Sequence, residues 1–242
     1  MKAVLVIPAR YKSSRFPGKP LIILNGKTMI QRVWEQCSKA FDPELIFVAT
    51  EDERILKHCT DNGIQCILTS DNCLTGTDRV SEVANKIDAD YYINVQGDEP
   101  VINPDDISKI VELLPKSNGE ILNGFCEIDN ADDYLSVSVP KVVMRQDNRL
   151  LYMSRAPIPG NKNNSFKVGF RQVCIYAFPK EALSTFSQAT EKTPMELEED
   201  IEILRFLEMG YEVKMVKMSK NSIPIDNPED VDKVLKRLQD VE

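Results

Sequence analysis

Residues 9–21, ARYKSSRFPGKPL, crowd the cations Arg10, Lys12, Arg15 and Lys19 into one short stretch around Gly18. Residues 1–34 contain seven Lys or Arg and no Asp or Glu, whereas the other 208 residues carry 23 basic and 38 acidic groups, a net of −15. A positive loop on an acidic chain needs an anionic partner. Polyphosphate fits, because cationic side chains neutralise its oxygens and backbone N–H groups near Gly18 can approach it closely. A loop that is merely solvated is the alternative. The stretch is not a G-x-x-x-x-G-K-[ST] loop. Nor does G-x-G-x-x-G follow the first apolar run, which counts against a nicotinamide site.

Three further segments offer partners for that chemistry. In NVQGDEP, residues 94–100, an apolar run ends in Gln96, Gly97, Asp98 and Glu99. Carboxylates at the end of a strand, near a polyphosphate loop, suit a hard cation such as Mg²⁺; an ordinary turn is the alternative. SIPIDNPEDV supplies a second carboxylate, Asp226, which could equally just start a helix. GTDRV opens a helix, where Gly76 and the first-turn amides offer a base or phosphate site and Arg79 an anion contact. A plain helix cap explains that segment as well. In PMELEEDIEILR, Glu198 and Glu202 stand four apart, and Glu199, Glu202 and Arg205 follow steps of three. Such a charged face is most often only solvated.

These residues must be positioned by the elements around them. Apolar runs predict strands at 2–8, 45–50, 64–69 and 91–96, and helical spacing predicts helices at 28–40, 52–62 and 77–87. Asn103 and Pro104 make a good cap and first position for the next helix. The alternation predicts a parallel sheet with helices on both faces, an α/β fold. Ligands of such sheets bind beyond the carboxyl ends of the strands, where the basic loop falls. The second half predicts strands at 119–128, 139–146, 150–154, 170–178 and 211–218, a polar loop at 160–166 and an acidic helix at 194–209. The last helix is expected to take Asn227 as cap and Pro228 as its first residue. One domain over 1–242 is expected, with an irregular subregion at roughly 119–178.

Composition narrows the classes. The chain has 242 residues, 42% of them apolar, which suits a globular protein with a sizeable core. A net charge of −8 argues against a nucleic-acid binder. No apolar run reaches a membrane span, and Pro8 and Arg10 end the first apolar stretch too early for a signal peptide. A cytoplasmic protein is expected. Six cysteines without C-x-x-C spacing read as reduced thiols, and the seven-residue spacing of Cys59, Cys66 and Cys73 reads as coincidence. The only histidine, His58, reads as structural or solvated, which leaves no histidine triad and no zinc cluster.

Together, IPARYKSSRFPGKPL, VATEDERI, GTDRVSEV, INVQGDEPVI, LYMSRAPIP, IYAF and IDNPEDVDKV resemble, in order and over nearly the whole chain, the CMP-Kdo synthetases, 3-deoxy-manno-octulosonate cytidylyltransferases. The resemblance implies a Rossmann-like nucleotidyltransferase sheet flanked by helices, a smaller dimerisation subregion and a homodimer. It implies transfer of CMP from CTP to an acidic sugar, with Mg²⁺. Ala9, Arg10, Ser13, Arg15 and Lys19 would hold CTP, and Thr50, Asp52, Gly76 and Thr77 would surround its base and ribose. Asp98 and Asp226 match the metal-binding aspartates. Arg79, Gln96, Arg155, Tyr176, Glu199 and Glu202 match positions near the sugar acid. The family usually has His in H-x-G-I-Y, where this chain has Gln172, Val173, Cys174, Ile175 and Tyr176. Gln172 donates a hydrogen bond but carries no charge, so an altered acceptor pocket is expected, for 3-deoxy-manno-octulosonate, an amino-substituted relative or another acidic acceptor; a catalytically silent homologue that binds nucleotide is the alternative. Arg10, Arg15 and Lys19 would neutralise the triphosphate, while Asp98 and Asp226 would hold the metal during in-line attack on the α-phosphorus.

Overall fold

A computed structural model describes residues 1–13 and 16–239. Its strands are β1 (Ala3–Pro8), β2 (Ile23–Leu24), β3 (Lys27–Thr28), β4 (Ile46–Thr50), β5 (Cys66–Leu68), β6 (Tyr91–Val95), β7 (Ile121–Glu127), β8 (Lys141–Met144), β9 (Leu150–Ser154), β10 (Phe170–Pro179) and β11 (Val213–Lys217). Its helices are α1 (Met29–Ser38), α2 (Glu53–Asp61), α3 (Gly76–Ala84), α4 (Pro104–Leu113), α5 (Ala131–Leu135), α6 (Lys180–Phe186), α7 (Pro194–Glu199), α8 (Ile203–Glu208) and α9 (Asp230–Gln239).

Period-two alternation splits the main strands between two cores. Val4, Val6 and Tyr92 pack with α3, α6 and α8 on one face, while Leu5, Ile7 and Ile93 pack with α1, α2 and α4 on the other. Both faces are covered, so β1 and β6 are almost wholly apolar. The sheet runs β11-β7-β10-β6-β1-β4-β5, with β8 and β9 branching from β10. β6, β1, β4 and β5 are parallel, as expected. The wholly parallel expectation fails at β10, which lies antiparallel to both β6 and β7. Residues 119–178 therefore share the central sheet through β7 and β10.

A third, smaller core fixes the C-terminus. Val234 and Leu238, one turn apart on α9, pack with Leu24, Met29 and Ile225. This brings the segment before α9 against the N-terminal loop, more than 200 residues away in sequence. The short β2–β3 hairpin that receives α9, and helices α5 and α6, were not anticipated from the sequence.

Two helix expectations need correction. The helix expected at 194–209 is two short helices, broken at Asp200, which adopts left-handed backbone with φ 50°. The break turns three glutamates to separate inward tasks instead of one solvated face. Glu196 is fully buried against Arg205, Glu199 accepts from Ser154 Oγ and Arg155 N, and Glu202 accepts from the start of α3. The last helix starts at Asp230, not Pro228. Asp230 Oδ2 accepts from the backbone N–H of Asp226 (3.3 Å) and Asn227 (3.0 Å), which folds 226–229 into a turn. Among the described residues no helix is long and apolar enough to cross a membrane.

Arg205 has no exposed surface and holds this region together. It makes two 2.6 Å bonds to Glu196 and one of 3.0 Å to Asp78, and lies 3.8 Å over the Phe186 ring. Removing one partner of such a group strands a buried charge, at a cost of about 3–5 kcal/mol. Arg205→Met is expected to lower unfolding stability by roughly that amount, measured by urea denaturation.

Candidate active site

The basic loop begins where β1 ends. Ala9 is buried and donates its N–H to Ala49 O at 2.8 Å, tying the loop base to β4. Arg10 and Lys12 are exposed, while Ser13 Oγ accepts from Phe16 N at 3.2 Å and so serves the loop's own turn. Arg15 lies outside the described residues. Gly18 takes φ 71°, a left-handed conformation that a side chain would strain. It starts the tight turn that carries Lys19 inward.

Lys19 meets both candidate metal ligands. Its Nζ lies 2.8 Å from Asp98 Oδ2 and 3.9 Å from Asp226 Oδ1, and donates to Ile225 O at 2.6 Å. Ile225 N in turn donates to Asp98 O at 3.0 Å. The side chains are 15%, 26% and 30% exposed, so one face of the cluster stays open to solvent. Asp98 sits in the turn after β6, which can reach the loop only because residue 97 is glycine. A Cβ there would lie 2.6 Å from Pro8 O.

Behind Asp98 lies Glu99, almost fully buried and hydrogen-bonded by the Ser222 hydroxyl. Burial, with Asp98 adding to it, pushes its carboxyl up to about 7. Arg171 Nη2 donates to Lys220 O and Ser222 O, each at 3.3 Å, so the segment leading to Asp226 is held from two sides.

Oxygen donors fit a hard cation. Among the described residues no group of three or more His, Cys, Asp and Glu gathers as a metal cage. Two carboxylates suit an ion that takes its remaining ligands from water and substrate phosphates, as Mg²⁺ does.

The other expected residues divide. Gln96 lies against Gly76, whose Cβ position is 3.0 Å from Gln96 Nε2, and both face the start of α3. That helix start is occupied from within the chain. Glu202 accepts from Gly76 N (3.0 Å), Thr77 N (2.9 Å) and Thr77 Oγ1 (2.5 Å). Burial raises the Glu202 carboxyl above its usual range despite these bonds. Gly76 and Thr77 thus hold a carboxylate of the chain rather than presenting bare amides. Tyr176 is buried and stacked on Phe178, with its hydroxyl raised well above the ordinary range, mainly by burial. Cys174, beside it, is raised likewise by burial and then by Glu99.

Arg155 and Glu199 are brought together, but onto each other. Arg155 donates from Nε to Glu199 O, from Nη1 to Val137 O and from Nη2 to Asp200 O. Four of the expected residues are buried or already partnered within the chain. Arg79 is buried and paired with Glu51 at 2.9 Å, and it donates to Thr69 Oγ1. Thr50 has no exposed surface. Asp52 caps α2 and takes two bonds from the Arg54 guanidinium, which holds its carboxyl below the usual range. Gln172 is buried and donates to Asn123 Oδ1 at 3.0 Å. Asn123 in turn donates to Val173 O and Ile175 O, stapling the bulge in β10.

Glu51, Arg54 and Tyr11 were not singled out beforehand. For Tyr11 the signal was an aromatic ring set among cations. Glu51 and Arg54 gave none beyond charges in a helix start.

Comparison with known proteins supplies the chemical context. The profile of the family described as cytidylyltransferase matches residues 4–219. A 3-deoxy-manno-octulosonate cytidylyltransferase of Protochlamydia amoebophila (strain UWE25) is 40% identical over 237 residues, covering 95% of this chain and 91% of the relative. An 8-amino-3,8-dideoxy-manno-octulosonate cytidylyltransferase of Shewanella sp. (strain W3-18-1) is 39% identical, covering 98% and 99%. A solved structure of CMP:2-keto-3-deoxy-manno-octonic acid synthetase complexed with CTP superposes with a TM-score of 0.92 at 34% identity, covering 100% of both chains.

Gly97→Ala tests the approach of Asp98 to the loop. Its Cβ forces β1 and the Asp98 turn apart, and displacement by about 1 Å at a reacting centre costs about 10²-fold in rate. Turnover is expected to fall by roughly that factor, with a circular-dichroism spectrum unchanged in shape. Wild-type turnover would mean that Asp98 need not stand where it does.

Proposed function

This chain belongs to the CMP-Kdo synthetase family of cytidylyltransferases, and from that premise we propose that it transfers CMP from CTP to a 3-deoxy-2-ulosonic acid. The acceptor is 3-deoxy-manno-octulosonate, pyrophosphate is released, and 1–242 acts as one nucleotidyltransferase domain. The observation that carries this reading is the Lys19 ammonium held between Asp98 and Asp226. It supports a centre where one face is cationic for phosphate and the other anionic for a metal.

The acceptor's anomeric hydroxyl attacks the α-phosphorus of CTP in line with the leaving pyrophosphate. Lys19 turns from its carboxylates to the phosphate oxygens as nucleotide enters, and Arg10 and Arg15 neutralise the rest of the triphosphate. Asp98 and Asp226 hold Mg²⁺, which when bound withdraws charge from the phosphate and acidifies the attacking hydroxyl. Catalysis is then mainly positioning and charge neutralisation. Gln96 and Tyr176, with Glu202 fixing the start of α3, form the acceptor side. The sugar acid's carboxylate lies toward Arg155.

A second acceptor, an 8-amino-substituted ulosonic acid, is favoured by one feature. Cys174 and Gln172 stand where the family usually has Gly and His, and relatives named for the amino sugar are as similar to this chain as several named for the parent sugar. The chain works as a homodimer in a cytoplasmic setting. Exposed Leu135 (60%), Val137 (69%), Leu151 (55%) and Leu197 (66%) support the first, and six free thiols the second.

Pyrophosphate release is expected with CTP and not with UTP, ATP or GTP, in a matrix against 3-deoxy-manno-octulosonate and its 8-amino form scored by product mass. Preference for another nucleotide overturns the reading. Asp98→Asn is expected to lower kcat by about 10²–10³-fold, the loss typical of one electrostatic catalytic element, without shifting the urea midpoint.

A further inference from the structure

The ring of Tyr11 is held from two sides. On one side is Gly18, which donates its N–H to Tyr11 O at 2.9 Å; a Cβ at residue 18 would lie 3.0 Å from the ring carbon Cζ and from the hydroxyl. On the ring face is Arg54, whose guanidinium carbon lies 3.3 Å from the ring centroid. Tyr11 N donates to Glu51 Oε1 at 3.1 Å, and Glu51 is anchored by buried Arg79. The two ends of the loop, Tyr11 and Gly18, therefore meet at one hub.

Arg54 is the part of the hub that belongs to the rigid scaffold. It sits in the first turn of α2. Asp52 fixes its guanidinium through Nε (2.9 Å) and Nη2 (2.7 Å), and the same carboxylate accepts from Arg54 N at 2.9 Å. A planar guanidinium held edge-on by a carboxylate keeps its face free for an aromatic ring. Arg54 also lines both cavities beside the loop. One, of about 610 Å³, is bounded by Arg10, Tyr11, Lys12 and Ser13. The other, of about 550 Å³, is bounded by Lys12, Asp52, Thr69 and Asp71. An isolated exposed ion pair would do little for stability. Here the pair orients a group stacked on the hub of a loop rich in cations.

We infer that Arg54 is a positioning residue for nucleotide binding: clamped by Asp52, it stacks on Tyr11 and pre-forms the loop that carries Arg10 and Lys19. Arg54 acts through Tyr11 and does not touch the nucleotide. Without the clamp, binding has to order the loop, which weakens affinity in proportion to the fraction of molecules already competent. Once nucleotide is bound the loop is the same, so the chemical step is spared.

This inference rests on CTP being the nucleotide, and calorimetry with CTP separates the two. Absence of CTP binding by the wild-type protein means that the functional reading fails. Wild-type binding that Arg54→Ala leaves unchanged means that the Arg54 inference fails. The expected result is a CTP Kd and KM raised by about 3–10-fold, the range of an exposed to partly desolvated cation–π contact. The kcat and the acceptor KM stay within about two-fold, and the melting temperature is nearly unchanged because the side chain is exposed. Tyr11→Ala weakens CTP binding at least as much, and the double variant Arg54→Ala/Tyr11→Ala is no weaker than Tyr11→Ala alone. Independent, additive losses at the two positions overturn the inference, because Arg54 would then act on CTP without Tyr11.

Discussion

Two carboxylates 128 residues apart in sequence, Asp98 and Asp226, converge on one ammonium, Lys19, and the architecture serves that meeting. Without a cation between them the two acids would repel each other. Their half-exposed setting weakens each contact through solvent screening, so the cluster is a modest contributor to stability. Its importance is positional. The parallel strands β1 and β6 deliver Lys19 and Asp98 to one edge, with Gly97 letting the two turns touch. The small core of Leu24, Met29, Ile225, Val234 and Leu238 delivers Asp226. Lys19 supplies the cation that balances the two acids.

The rest of the acidic surplus is spent on keeping cations and helix ends in place. Glu51 holds Arg79, Glu196 holds Arg205, Glu202 holds the first amides of α3, and Glu199 holds the end of β9. Each is a charge-assisted contact that ties two different elements or chain segments together. A chain with a net charge of −8 thus directs many of its acids inward, toward specific donors, and leaves the basic loop as the conspicuous positive feature.

The sequence made much of this legible, for identifiable reasons. β1, β4, β6 and the helices between them follow strong apolar periodicity, which tertiary contacts do not override. Asp98 and Asp226 stood out because each is a carboxylate at the end of an element. The broken acidic helix was not legible, since helix propensity favours continuity and only the inward donors at Ser154 and α3 make the kink at Asp200 worthwhile. Arg79 was read as an anion contact because charge is visible in a sequence and its partner is not, whereas Asp52 was placed near the nucleotide by the family resemblance. Their partners, Glu51 and Arg54, appear only once β4 and α2 are folded. The antiparallel entry of β10 was hidden because a strand buried on both faces reads alike in either direction.

The account stands or falls on whether the two aspartates act on one cation. Calorimetric titration of Mn²⁺ into the protein saturated with a non-hydrolysable CTP analogue, for the wild type, Asp98→Asn and Asp226→Asn, addresses this directly. Loss of the same high-affinity event in both variants is the predicted outcome. Wild-type Mn²⁺ affinity in Asp226→Asn would show that residue 226 does not share a centre with Asp98, and would contradict the account.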